Sequence, residues 1–175
     1  MNKKNFGFTL IELIVVIAIL GILATGTMAI INPFGQIQKS RDAIRKSALR
    51  QIANELDAYF ITYGSYPSTG NAVWAEGKCT NFPETTIKPN YSGPNAYIPN
   101  LAPLQIKNLP GDPNVNGIGK RCYIYQSDGT YYILSAHVGA EASFQPNDPL
   151  IRLLAPACTT QQATFTILSR GGTCW

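Results

Sequence analysis

Charge is scarce in this chain and absent from residues 13–31. Lysine and arginine number 14 and aspartate and glutamate 10, which is 14% of 175 residues; a soluble domain carries roughly 25%. Either much of the surface is uncharged and polar, or part of the chain lies in lipid. The second half is rich in Asn, Thr, Ser, Gly and Pro while the apolar excess sits near the N-terminus, so each explanation covers a different part. Histidine is reduced to His137, and no two of Cys79, Cys122, Cys158 and Cys174 have C-x-x-C spacing. That argues against a tetrahedral zinc site and against a histidine-activated nucleophile. Gly117-Ile118-Gly119-Lys120 lacks the upstream glycine and the following Ser or Thr of a phosphate loop, since Asn114 and Arg121 stand there. A net charge of +4 is too small to argue for nucleic acid. No enzyme and no cofactor are expected.

What is present is a long apolar segment. Lys3 and Lys4 are the only charges before it, and Glu12 is the only charge within 8–31. Spanning hydrocarbon takes ~20 apolar residues, so 8–31 is expected to be a transmembrane helix. A secretory signal would have a shorter apolar run, uninterrupted by an acid. The cysteines all follow this segment, which favours two disulfides in an oxidising compartment; spacing alone leaves three pairings open.

Gly7-Phe8-Thr9-Leu10-Ile11-Glu12 resembles the processing site of type IV prepilins and of type II secretion pseudopilins. The resemblance implies cleavage between Gly7 and Phe8 by a prepilin peptidase, then N-methylation of Phe8. It implies a structural subunit whose partners are identical or homologous subunits and an inner-membrane assembly platform. The chain would start as a single-pass cytoplasmic membrane protein with its head outside the cytoplasm, and end in an extracellular or periplasmic filament. An acid inside a membrane helix costs ~2.5–3.5 kcal/mol and needs a reason. Cleavage creates an ammonium on Phe8, and a staggered neighbour can present it to Glu12, making Glu12 an assembly register. One rule disagrees: Lys39, Arg41, Arg45, Lys46 and Arg50 outnumber Lys3 and Lys4, and the positive-inside count would put the head in the cytoplasm. The processing site and the cysteines overrule it.

Asn32-Pro33 marks a kink, because Pro33 removes a backbone donor. Helix resumes from about Gln36 to Tyr63, with Ile37, Ile44, Ala48, Ile52, Leu56, Tyr59 and Tyr63 as its apolar face. The basic residues of 39–50 are read as a solvated helix face; headgroups, acidic polymers or a neighbouring subunit are the alternatives. Residues 68–120 read as a long connecting region. A hairpin follows, 121–127 and 130–135, joined by Asp128-Gly129 as a two-residue type I′ turn, and 163–168 is a further strand.

Tyr66-Pro67, Leu109-Pro110-Gly111-Asp112-Pro113 and Ser135-Ala136-His137-Val138-Gly139-Ala140-Glu141 also resemble segments of the major pseudopilin. That family holds calcium after its hairpin. Here an expected Asp is replaced by Glu141, leaving Glu141 and Asp148 as the only acidic candidates, so calcium is kept as the alternative to no cofactor. The C-terminal disulfide loop of many type IV pilins implies Cys158–Cys174, with Cys79–Cys122 accompanying it. Those cysteines and the altered calcium element lean toward a pilus over a secretion pseudopilus.

The expectation is therefore an α+β, pilin-like chain. It has a leader (1–7), a transmembrane and filament-core helix (8–31), an amphipathic helix (32–63) and a head (64–175) with a small antiparallel sheet. The alternative function is a minor tip pilin acting as an adhesin or DNA-binding module, with Trp74, Tyr91, Tyr97 and Trp175 as the stacking surface.

Overall fold

The computed structural model describes residues 7–76, 85–88, 90–114, 121–137, 151–153 and 163–169, with backbone alone at 27–31, 85, 87, 151–153 and 163–164. The residues 1–6, the loop 117–120, and Cys79, Cys158, Cys174, Glu141, Asp148 and Trp175 lie outside that description. The chain divides into two compact units, 1–37 and 38–175.

The first unit is built on α1, Leu10–Ile31. Thr9 caps it: extended backbone (φ −82°, ψ 148°) lets its hydroxyl accept the Glu12 amide at 3.4 Å. Every side chain described from 10 to 26 is exposed. Among the described residues no helix is long and apolar enough to cross a membrane. Glu12, in the first turn of α1, interrupts the apolar run. The transmembrane first half, the membrane as partner and the single-pass membrane stage are corrected accordingly.

Asn32 ends α1 in the left-handed region (φ 42°, ψ 72°). It also starts α2, Pro33–Tyr63: its side-chain oxygen accepts from the Gly35 amide at 3.2 Å and its carbonyl from Gln36 at 3.3 Å. Pro33 is thus the first residue of a helix, where a missing N–H costs nothing. The break belongs to Asn32 rather than to the proline. Gly64 (φ 73°) closes α2, donating to the Phe60 carbonyl at 2.8 Å.

Among the described residues of the second unit the sheet has six strands in the order β2-β1-β3-β4-β6-β5. They are β1 Val73–Glu76, β2 Thr85–Lys88, β3 Cys122–Ser127, β4 Tyr132–His137, β5 Ile151–Leu153 and β6 Ala163–Leu168; α3, Leu101–Leu104, is a single helical turn. All pairings are antiparallel except β1 with β2. Two of these strands come from the region read as connecting chain. The hairpin forms, but Ser127 pairs with Tyr132, leaving 128–131 as its loop. Only Gly129 has positive φ there, whereas type I′ needs two such residues. Instead the Asp128 carboxylate accepts the Thr130 and Tyr131 amides at 2.7 and 2.8 Å.

The core lies between α2 and the sheet. Leu49, Ile52 and Leu56 meet Tyr123, Tyr125, Leu134 and Phe165, with Tyr97, Ile98 and Leu101 closing one side. Ile52 and Leu56 are on the face the periodicity indicated. Ile37 and Ile44 are each 49% exposed, and in the helix's early turns the buried places go to Asp42 and Arg45.

Candidate functional site

The N-terminal element presents itself outward. Phe8 is 72% exposed and an added Cβ on Gly7 would meet nothing within 4 Å, so the Gly7–Phe8 bond is sterically open. One turn along, the Thr9 hydroxyl lies 3.4 Å from Glu12 Oε2. Thr9-x-x-Glu12 is the spacing of a capping box, in which an N-cap hydroxyl and an acid three residues on hold the first turn. Beyond it, Leu10, Ile11, Leu13, Ile17, Leu20 and Ile22 are 57–77% exposed. Large side chains occur on all sides, so α1 has no polar face to turn to water.

The second cluster is the reverse: charge with no access to water. Arg45, fully buried on α2, donates Nε to Asp112 Oδ2 at 2.7 Å and Nη2 to Oδ1 at 2.8 Å, a bidentate pair. Its Nη1 reaches Asp42 Oδ1 at 2.9 Å. Asp112 also accepts the Asn114 amide at 2.7 Å, which fixes the turn after Pro110. Beside this pair sits Glu76, the last residue of β1, fully buried. The Asp112 amide donates to both of its oxygens (2.9 and 3.0 Å), Tyr123 N to Oε2 at 3.1 Å and Tyr91 Oη to Oε1 at 2.9 Å. Burial raises the Glu76 carboxyl to about 7 against the pull of those donors. Tyr91 is pushed up to about 12 by burial and by facing that acid.

Arg45 therefore does not belong to a solvated basic face. Periodicity missed it because a paired arginine reads as a surface residue. Asp112 had a signal, the Leu-Pro-x-Asp-Pro segment; Glu76 had none. Of the aromatic stacking surface, Trp175 lies outside the described residues and the other three side chains are engaged within the head. Tyr97 is fully buried, with its hydroxyl donating to the Pro110 carbonyl at 2.8 Å. Tyr91 is tied to Glu76, and the Trp74 ring is covered by the Lys88 ammonium at 3.9 Å.

Cys122 is buried and disulfide-bonded. His137, its partner across the β3–β4 pairing, is buried, which lowers its imidazole pKa. Among the described residues no group of three or more His, Cys, Asp or Glu could hold a metal ion.

Residues 2–28 match the prokaryotic N-terminal methylation motif. The chain is 32% identical to the type II secretion system core protein G of Aeromonas hydrophila, over 64% of this chain and 69% of that protein. With the Pseudomonas aeruginosa protein of the same name it shares 30% identity over 74% and 78% of the two chains. With that of Dickeya chrysanthemi it shares 30%, over 65% of each, so there it spans just under two thirds of the relative's length. No solved structure matches.

Proposed function

We propose, for a chain that belongs to the type II secretion system core protein G family, a division of labour between an N-terminal assembly element and a self-sufficient head. The chain is a structural pseudopilin, processed and methylated at its N-terminus, and is not catalytic. Secretion relatives, rather than pilus subunits, correct the lean toward a pilus that the C-terminal cysteines suggested.

The observation that carries the reading is the exposure of α1. A helix apolar on every side has its large side chains in the open from Leu10 to Leu23. Contiguous apolar surface of that kind marks an interface, and the same segments of neighbouring subunits cover it in a filament. Within that packing Gly7–Phe8 is the processing point, Phe8 carries the methyl group, and Glu12 pairs with the Phe8 ammonium of a neighbour. A carboxylate inside an apolar bundle is tolerated when it faces a fixed opposite charge. Until then Thr9 holds it on its own chain. The segments 1–7, 8–31, 32–63 and 64–175 are accordingly leader, filament core, connecting helix and outer head. Prepilin peptidase and the assembly platform are the partners, and Cys79–Cys122 and Cys158–Cys174 are the disulfides.

Mass spectrometry of the N-terminus of assembled protein tests the reading. N-methylated Phe8 is the expected terminus, and an intact Met1 in sheared filaments would overturn it.

A further inference from the structure

The head contains an uneven knot of buried charge. Asp42, Asp112 and Glu76 supply three carboxyls that are 6%, 5% and 0% exposed, and among the described residues one buried cation, Arg45, answers them. Arg45 is committed to Asp112 and Asp42. The contacts described for Glu76 are all hydrogen-bond donors: two backbone amides and the Tyr91 hydroxyl. An ionised carboxylate buried beside a like charge and away from the cation is strongly disfavoured.

The neutral acid fits the same frame. Oε2 keeps the Asp112 and Tyr123 amides, and Oε1 carries the proton and donates it to Tyr91, whose hydroxyl oxygen accepts once its own proton turns away. Among the described residues the groups around Glu76 offer no substitute cation. Lys88, its register partner on β2, turns its ammonium over Trp74. From β3, Tyr123 brings its amide and a buried hydroxyl without a partner among the described residues; Arg121, just before that strand, is half-buried. From α2 come Arg45 and Asp42, and from the loops Tyr91, Tyr97 and Asp112.

We propose that Glu76 is a proton-operated clasp: neutral, it ties β1, β3, the Tyr91 loop and the Asp112 turn together around Arg45, and ionised, it loosens them. The head is tightest in acid and relaxes near neutrality. The sign follows from linkage. The folded carboxyl sits at about 7 and its ordinary value is 4.5. The folded state therefore holds a proton the unfolded chain releases, and this stabilisation is complete below about 4.5 and lost as pH rises through about 7. This goes beyond the filament reading and does not depend on it.

The test uses the full chain, kept in solution by mild detergent against its exposed α1. Carboxyl-labelled NMR should show Glu76 titrating near 7; a midpoint in the ordinary glutamate range would overturn the proposal. Glu76→Gln mimics the neutral acid, its amide nitrogen facing Tyr91. Between pH 5 and 8 the wild-type melting temperature should fall by roughly 5 °C or more relative to the variant, and parallel profiles would also overturn it. The difference is the readout because His137, lowered by burial, contributes the opposite trend, its stabilisation being lost as pH falls. If Glu76→Gln does not fold, the NMR midpoint decides.

Discussion

In α1 the apolar residues are exposed; in the head a cluster of charges is buried. Leu10, Ile11 and Ile22 are 77%, 66% and 73% exposed, whereas Arg45 and Glu76 are at 0%. The two inversions have different causes. Every α1 side chain described from 10 to 26 is exposed, and in the proposed filament neighbouring subunits cover them. The head's charges are buried because their partners come from distant parts of the same chain: Arg45 and Asp112 are 67 residues apart, and Glu76 and Tyr123 are 47 apart. In the proposed reading one region is completed by neighbours and the other completes itself. Substitutions in the first should therefore damage assembly without touching head stability, and substitutions in the second should do the reverse.

The largest contrast should come from Glu12→Ala. Secretion and filament formation should be lost while the melting temperature of the head stays within a degree or so, because Glu12 touches only Thr9 among the described residues. Normal filaments from this variant would break the comparison at its first term. Arg45→Met strands Asp112 in a dry site, and removing one partner of a buried pair costs ~3–5 kcal/mol. Chemical denaturation should show that loss, and the double variant Arg45→Met, Asp112→Leu should recover part of it. A single variant as stable as wild type would mean the knot is hydrated rather than buried. Gly111→Ala is smaller but more pointed. The site is exposed, yet an added Cβ would lie 2.9 Å from Glu76 Oε1 and 3.3 Å from the Tyr91 ring. Glu76 is pinned by its donors and cannot retreat, so about 1–3 kcal/mol should be lost, measurable as a lower urea midpoint.

The same contrast explains what could be read from the sequence. The proposed assembly elements are local: Gly7, Phe8 and Glu12 lie within six residues, so their pattern is visible without a fold. The hairpin was legible for the same reason, since its two strands are adjacent in sequence and rich in aromatic and β-branched residues. Its turn was misread because Asp128-Gly129 suits a type I′ turn and also suits an Asp that caps two following amides, and only the strand register separates these. The knot was illegible. Arg45 among Lys39, Arg41, Lys46 and Arg50 looks like one more surface charge, and nothing local tells that a carboxylate 67 residues on will cover it. The six-stranded sheet was under-read because β1 and β2 are four residues each and parallel, with no hairpin between them to announce the pairing.

The finest test lies at Asn32, where α1 ends and α2 begins. Its left-handed backbone and its side-chain cap are separable. Asn32→Gly keeps the conformation and removes only the hydrogen bond to Gly35; for a cap residue that change costs a few tenths of a kcal/mol. Asn32→Ala removes the bond and also disfavours φ 42°, so about 1–2 kcal/mol of local helix stability should go. Amide exchange at Gly35 and Gln36 should then quicken roughly fivefold or more in the alanine variant and barely in the glycine one, with head amides such as Tyr123 unchanged in both. Equal acceleration would show that the cap, not the backbone conformation, sets the break. Acceleration spreading to Tyr123 would show that the head depends on this junction, and that the self-sufficiency drawn from its buried charges is too simple.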